Sequence, residues 1–139
     1  MDVQMFVSRV IFCDPREHEP HQEPPCLVIL GETDGPRQFS IVIGHCEAEQ
    51  IYRRLRGIAP ARPMVFELLA SVLDAHDTQL ERILIDDLQD NTFYAKLVLR
   101  RSDGQRLLID SRPSDAIGLG VAHDTPIYVA EQVLATASS

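Results

Sequence analysis

The sequence of 139 residues predicts a single α+β domain with a mixed, mostly antiparallel sheet. Three observations carry that expectation. Several short segments alternate apolar and polar residues with period two, two longer ones repeat apolar residues at helical spacing, and two Asp-Gly turns each sit between apolar runs. With 45% hydrophobic and 24% charged residues, seven Gly and nine Pro, the composition suits one domain that buries its own core and excludes fibrous and low-complexity classes. No apolar run approaches the ~20 residues of a membrane helix. The opening MDVQMFVSRVIFCDP lacks the basic-then-apolar pattern of a secretory signal. Three cysteines (Cys13, Cys26 and Cys46) are too few and odd in number for a disulfide scaffold, so a cytoplasmic location is expected.

Residues 1–12 read as a first strand, with Val3, Met5 and Val7 on one face and Phe6 on the other. The polar, Pro-rich stretch CDPREHEPHQEPPC then reads as loop. Residues 27–32 and 37–44 flank an Asp34-Gly35 turn, a hairpin signal. From Glu47 to Arg56, the apolar residues Ala48, Ile51, Tyr52 and Leu55 fall at i, i+3, i+4 and i+7, and Gly57 is placed to stop that helix. A second helix is expected over 63–76, with Pro63 in its first turn and Val65, Leu68, Leu69, Val72 and Leu73 at the same spacing. Residues 80–89 and 92–101 read as strands, the latter with Phe93, Ala95, Leu97 and Leu99 on one face. Asp103-Gly104 turns the chain into a strand at 106–110; a short helix begins at Pro113, and residues 126–130 form a last strand. The domain is therefore placed at 1–134, with 135–139 as a short polar tail.

One repeat emerges. The segments around Asp34-Gly35 and Asp103-Gly104 both run strand, turn, strand, helix start, and each helix opens on an acidic residue followed by Ala: Glu47-Ala48 and Asp115-Ala116. The expected architecture is thus two ββα-like repeats sharing one sheet, with the 63–76 helix between them.

Charge restricts function. Thirteen Lys+Arg against 21 Asp+Glu give −8, the wrong sign for wrapping nucleic acid by bulk attraction, so any RNA or DNA contact must be local. Arg53, Arg54, Arg56 and Arg62 form the one basic cluster; Glu49, four residues before Arg53, equally supports a solvated helix face.

Candidate chemistry gathers where the last helix begins. Asp110, Arg112, Ser114 and Asp115 combine two carboxylates, a hydroxyl and a guanidinium at a strand-to-helix junction, a set that can bind Mg²⁺ or Mn²⁺ and hold a phosphate. The competing reading is that Ser114 and Asp115 satisfy the free N–H groups of the first turn, with Arg112 buttressing a carboxylate. Glu47 is the counterpart of Asp115 in the first repeat and a further candidate ligand, and His45 stands beside it. A separate zinc-compatible set, Cys13, His18, His21 and Cys26, has an unfamiliar spacing. There is no GxGxxG, Walker loop, HExxH, CxxC or GxSxG, which removes support for nucleotide-cofactor, P-loop and serine-hydrolase readings.

IDSRPSDAIGLGVAHDTPIYVAEQVL and IVIGHCEAEQIYRRLRGIAPARPMVFELLASVLDAHD resemble the bifunctional nuclease domain family, and the resemblance covers about residues 1–134. It implies a compact α+β fold, frequent homodimerisation, and hydrolysis of both RNA and DNA. Applied here, that is a metal-assisted phosphodiesterase with Asp110, Asp115 and Glu47 as ligands and Arg112 on the phosphate. The alternative is a non-catalytic ligand-binding or regulatory oligomeric domain. Two departures stand out: where the family pattern reads RPMTHDLL, this chain has Val65, Phe66 and Glu67 for the Thr, His and Asp; and Gly118 and Gly120 stand where the family usually has Ala.

Overall fold

In the computed structural model, which describes residues 1–13 and 25–138, seven strands join one sheet in the order β3-β2-β1-β7-β4-β5-β6. The strands are β1 (Asp2–Phe12), β2 (Cys26–Glu32), β3 (Gln38–Ile43), β4 (Thr78–Gln89), β5 (Thr92–Arg101), β6 (Arg106–Ser111) and β7 (Ile127–Ala130). The helices are α1 (His45–Leu55), α2 (Val65–Ala75), α3 (Pro113–Ala122) and α4 (Glu131–Ala137). Every neighbouring pair is antiparallel except β4–β7, so the sheet is mixed and mostly antiparallel as the sequence predicts. None of the described helices is long and apolar enough to cross a membrane.

The repeat is one strand larger than expected. β1-β2-β3-α1 and β4-β5-β6-α3 follow the same order, and β7 lies between β1 and β4, where Ile127 is in register with both Met5 and Ile83. The β4–β5 turn carries Asp90 and Asn91 at φ 50° and 63°, the left-handed pair that a tight two-residue hairpin requires. The sheet also curls: Phe39 of β3 stacks on Phe93 of β5 with ring centroids 5.5 Å apart, although β2, β1, β7 and β4 separate those strands in the ladder. That curl gathers Val28, Leu30, Ile83, Ile85 and Val129 into one core with Ala116, Ile117 and Leu119 of α3.

α3 is the middle of the molecule. Ser114 and every residue from Ala116 to Gly120 are buried, and α1, α2 and the sheet all pack on it. Gly118 is where α2 comes closest: a Cβ on Gly118 would fall inside the Phe66 ring. Gly120 sits against Ile83, whose Cγ1 would lie 3.0 Å from a Cβ there. Both glycines thus exchange helix propensity for close approach. They also explain the paired departures from the family pattern, since the large Phe66 occupies the space a small side chain at 118 would need.

Two expectations are corrected. Of the five residues at helical spacing in α2, only Leu73 packs on the core. The inward face is Phe66, Ala70 and Leu73, whereas Val65, Leu68, Leu69 and Val72 are exposed. Two apolar stripes coexist on this helix, and spacing alone selects the longer. Residues 135–137, expected within a polar tail, complete α4, whose Val133 and Leu134 are fully buried. α4 is tied down where Arg37 of the β2–β3 hairpin donates to Glu32 and, at 3.0 Å, to Glu131.

Gly118→Ala should lower unfolding free energy by about 1–3 kcal/mol through overpacking, reversing the ~1 kcal/mol gain that helix propensity alone would give. In a Phe66→Leu background the same substitution should cost less, and urea denaturation of the four proteins measures the coupling.

A pH dependence follows from two carboxylates. The hydrogen bond from Arg37 holds Glu32 below the usual carboxylate range, and that from Arg106 does the same for Glu81. Each favours the folded state fully above the unfolded value, about 4.3, and progressively less as pH falls below it. Thermal melts between pH 7 and pH 3 should show a falling Tm, with a shallower fall in Glu32→Gln.

Candidate functional site

The two repeats set α1 and α3 side by side in the same direction, bridged at both ends. At the starting ends, Arg112 donates from Nε to Asp115 Oδ2 at 2.8 Å and from Nη2 to Asp115 Oδ1 at 3.0 Å, and Nη2 also reaches Glu47 Oε1 at 3.4 Å. At the far ends, Arg54 Nη2 donates to the Ala122 carbonyl at 2.9 Å. Glu47 comes from the first turn of α1, Asp115 from the first turn of α3, and Arg112 is the N-cap residue of α3. The equivalent acids of the two repeats therefore converge on one guanidinium.

Local sequence builds this arrangement. Arg112 is held extended (φ −70°, ψ 146°) with Pro113 next, which starts the helix without needing an N–H donor. Gly44, the N-cap of α1, leaves room for the Glu47 carboxylate, which a Cβ there would meet. No side chain caps α3, so Asp115 is directed at Arg112 rather than at the helix's own N–H groups. The hydrogen bonds and charge of Asp115, with Glu47 behind it, raise the Arg112 pKa. Arg112 keeps 68% of its side-chain surface exposed and Asp115 46%, against 23% for Glu47. The ion pairs are thus open to solvent and replaceable by an incoming anion or cation.

Beside them lies an open cleft of about 620 Å³, bounded by β3, the β4–β5 turn and the start of α3. His45, Arg112 and Ser114 line it, with Ser40, Asn91 and Thr92 opposite. His45 Nδ1 lies 3.9 Å from the buried Cys26 Sγ, and its ring packs edge-on against Phe12.

Asp110 is elsewhere. It pairs with Lys96 across the β5–β6 ladder, 3.4 Å from Lys96 Nζ, which also faces Asp86. Lys96 alternates with the core residues Ala95 and Leu97, so Asp110 points from the opposite face of the sheet and does not join Glu47 and Asp115. β-strand alternation could have separated them: Asp110 lies within a strand, where the pleat sets its side, while Asp115 lies in the first turn of a helix. Among the described residues no group of three or more His, Cys, Asp or Glu is gathered as a metal site. His18 and His21 of the Cys13–Cys26 set lie outside the described residues.

The arginine cluster divides. Arg54 is committed to α3, Arg53 faces Glu49 at 4.0 Å, and Arg56 lies over the Tyr52 ring and donates to its hydroxyl at 2.9 Å. Sequence reading missed the cleft wall formed by Ser40, Asn91 and Thr92. Its one available signal was Asp90-Asn91 between two strands, a turn pair that brings Thr92 toward β3 once the sheet curls.

An α+β domain of two βββα units, with matched acids meeting one arginine at their helix starts, is the class that the fold and site define. The bifunctional nuclease domain model matches residues 28–139, and the chain belongs to that family. An uncharacterised protein of Mycobacterium tuberculosis, found in two strains, is 35% identical over 122 residues, covering 88% of this chain and 71% of its own length. Bifunctional nuclease 2 of Oryza sativa subsp. japonica is 23% identical over 113 residues, 79% of this chain and 35% of that protein.

The two bridges differ in what they sustain. Arg54→Ala should cost about 1–2 kcal/mol in denaturant unfolding, because it strips a charged donor from a helix-end carbonyl. Arg53→Ala, removing only an exposed i,i+4 pair, should cost less than ~0.5 kcal/mol.

Proposed function

We propose that the chain is a phosphodiesterase acting on RNA and DNA, with its reaction centre at Glu47, Arg112, Ser114 and Asp115. The observation that carries this reading is the convergence of Glu47 and Asp115 on the exposed Arg112 at the rim of the cleft. Membership of the bifunctional nuclease domain family supports the substrate class.

Two carboxylates fit the hard-oxygen preference of Mg²⁺ or Mn²⁺, which commonly use one or two protein carboxylates plus water and phosphate oxygens. Glu47 and Asp115 would hold the ion, and Asp110 takes no part. Such an ion, when bound, supplies charge neutralisation on the phosphate and a more acidic water. The protein's own groups do the rest. Arg112, released from part of its carboxylate contact, presents its fork to two phosphate oxygens. Ser114, almost buried at the cleft edge, offers a hydroxyl to the same phosphate, and His45 stands where it can exchange a proton with water in the cleft. Arg53, Arg56 and Arg62 extend the phosphate contact over an otherwise acidic surface, as a local attraction must.

A second reading, a non-catalytic anion-binding domain, is favoured by one observation: Phe66 fills a buried position where the family pattern has His, so any proton transfer that His performed has no counterpart here. A cytoplasmic location accompanies either reading.

The deciding measurement is a nuclease assay on RNA and single-stranded DNA with Mg²⁺, Mn²⁺ or chelator. Metal-dependent cleavage that falls at least about 100-fold in Asp115→Asn, in line with loss of one electrostatic or acid–base group, supports the phosphodiesterase. Binding of oligonucleotide without cleavage supports the second reading, and cleavage unchanged in Asp115→Asn would place the chemistry elsewhere.

A further inference from the structure

We infer that the pocket between the second half of α1 and the start of α2 binds a free nucleoside monophosphate, at a site apart from the Arg112 cleft. The pocket encloses about 310 Å³, at the small end of ligand cavities. Its walls are fixed by backbone contacts. Gly57, at φ 74°, ends α1 with its N–H on the Arg54 carbonyl at 3.0 Å, and the Ile58 N–H bonds the Arg53 carbonyl at 2.9 Å. This paired closure turns Ile58 back toward the helix. On the α2 side, the Met64 N–H donates to Glu67 Oε1 at 2.9 Å and anchors the helix start.

The lining selects the ligand. Ile58, Pro60, Ala61 and Met64 offer an apolar surface suited to a flat ring, and Ile58 and Met64 remain exposed. Gln50 lines the same pocket, and its Oε1 is buried without a hydrogen-bond partner. Such an acceptor is costly to leave unmade. An amino or ring N–H of a nucleobase supplies the missing donor, whereas an aliphatic acid does not.

Charge selects the rest. Arg54 donates to a neutral group, the Ala122 carbonyl, and among the described residues no carboxylate pairs with it. Arg53 meets Glu49 only at 4.0 Å. Two pocket-lining guanidiniums thus carry charge open to a phosphate, which their planar forks can hold through paired oxygens. Glu67 is engaged by the Met64 N–H, so Glu49 is the carboxylate left to accept from a ribose hydroxyl. With two acids beside two arginines, the pocket suits a single phosphate better than a di- or triphosphate.

Arg54 lies two turns beyond Glu47, about 10 Å along α1, so this ligand leaves the Arg112 cleft free. Because Arg54 also ties α1 to the end of α3, a bound phosphate reinforces the far end of the helix pair that carries Glu47, Arg112 and Asp115 at its near end. The role, though not the binding, rests on the phosphodiesterase reading: a nuclease releases nucleotides, and here product is held away from where it forms.

Isothermal titration calorimetry of the full chain in chelator tests this, with AMP, adenosine, ribose 5-phosphate and inorganic phosphate as probes. AMP should bind one site with a Kd of about 10 µM to 1 mM, the range for a small ligand with few polar anchors. Adenosine and ribose 5-phosphate should each bind at least about 10-fold more weakly, since each lacks one anchor. Arg53→Ala and Gln50→Leu should each weaken AMP about 10-fold with unchanged circular dichroism. Gln50→Leu removes an unpaired acceptor, so it should not lower the Tm of the free protein. Arg112→Ala should leave AMP affinity unchanged. The inference is overturned by AMP binding no tighter than inorganic phosphate, or by no binding up to about 5 mM, weaker than a specific ligand. AMP affinity that is lost in Arg112→Ala but kept in Arg53→Ala overturns it equally. No turnover is involved: a chain that binds AMP and cleaves nothing loses only the proposed reaction, and one that cleaves without binding AMP loses only this site.

Discussion

The absence of a solvent face on α3 between Ala116 and Gly120 is the constraint from which the rest of the architecture follows. A helix buried on all sides needs neighbours on all sides, which is why the sheet curls and why α1 and α2 both lean on it. Close approach is then limited by backbone volume, and glycine is the residue that reduces it. Gly118 admits Phe66 and Gly120 admits Ile83, and each contact fixes one neighbouring element relative to α3. Burial also decides where chemistry can occur. Between its two ends α3 is closed to solvent, so its ionisable residues Arg112 and Asp115 stand at its start, where the helix opens beside the cleft.

Most of the architecture was legible because local patterns and tertiary outcome agree. Phe93, Ala95, Leu97 and Leu99 alternate in β5, the Asp-Gly turns sit where hairpins close, and Pro113 starts α3. What escaped has physical causes. α2 carries two apolar stripes, and periodicity cannot say which one a folded core will take. α4 is too short, and too rich in Ala and Thr, to announce itself, although Val133 and Leu134 bury completely. At the site, the repeat marks Glu47 and Asp115 as counterparts, but only the packing of α1 against α3 brings them to one guanidinium. The separation of Asp110 depends on the strand's pleat, and the opposing wall of the cleft depends on sheet curl, which no local pattern records.

An arginine between two carboxylates is how an acidic protein would accommodate the anionic substrate proposed for it. Alone, Glu47 and Asp115 would repel phosphate and each other; alone, Arg112 would attract any polyanion. Together they form a solvent-accessible set of one cation and two anions, in which, on the proposed function, a phosphate would exchange for a carboxylate on the guanidinium and a cation for the guanidinium on the carboxylates. Exposure makes both exchanges inexpensive. The same contacts keep the helix starts of the two repeats together when nothing is bound.

The position of β7 has a consequence for biogenesis. This strand, which joins the two meanders, is translated after all six of the others, so neither half can complete its hydrogen-bond ladder while the ribosome is still making α3. Until then β1 and β4 present raw edges to solvent, a state open to mispairing between nascent chains on one message. Such a topology ties closure of the whole sheet to its last strand rather than to stepwise addition in chain order.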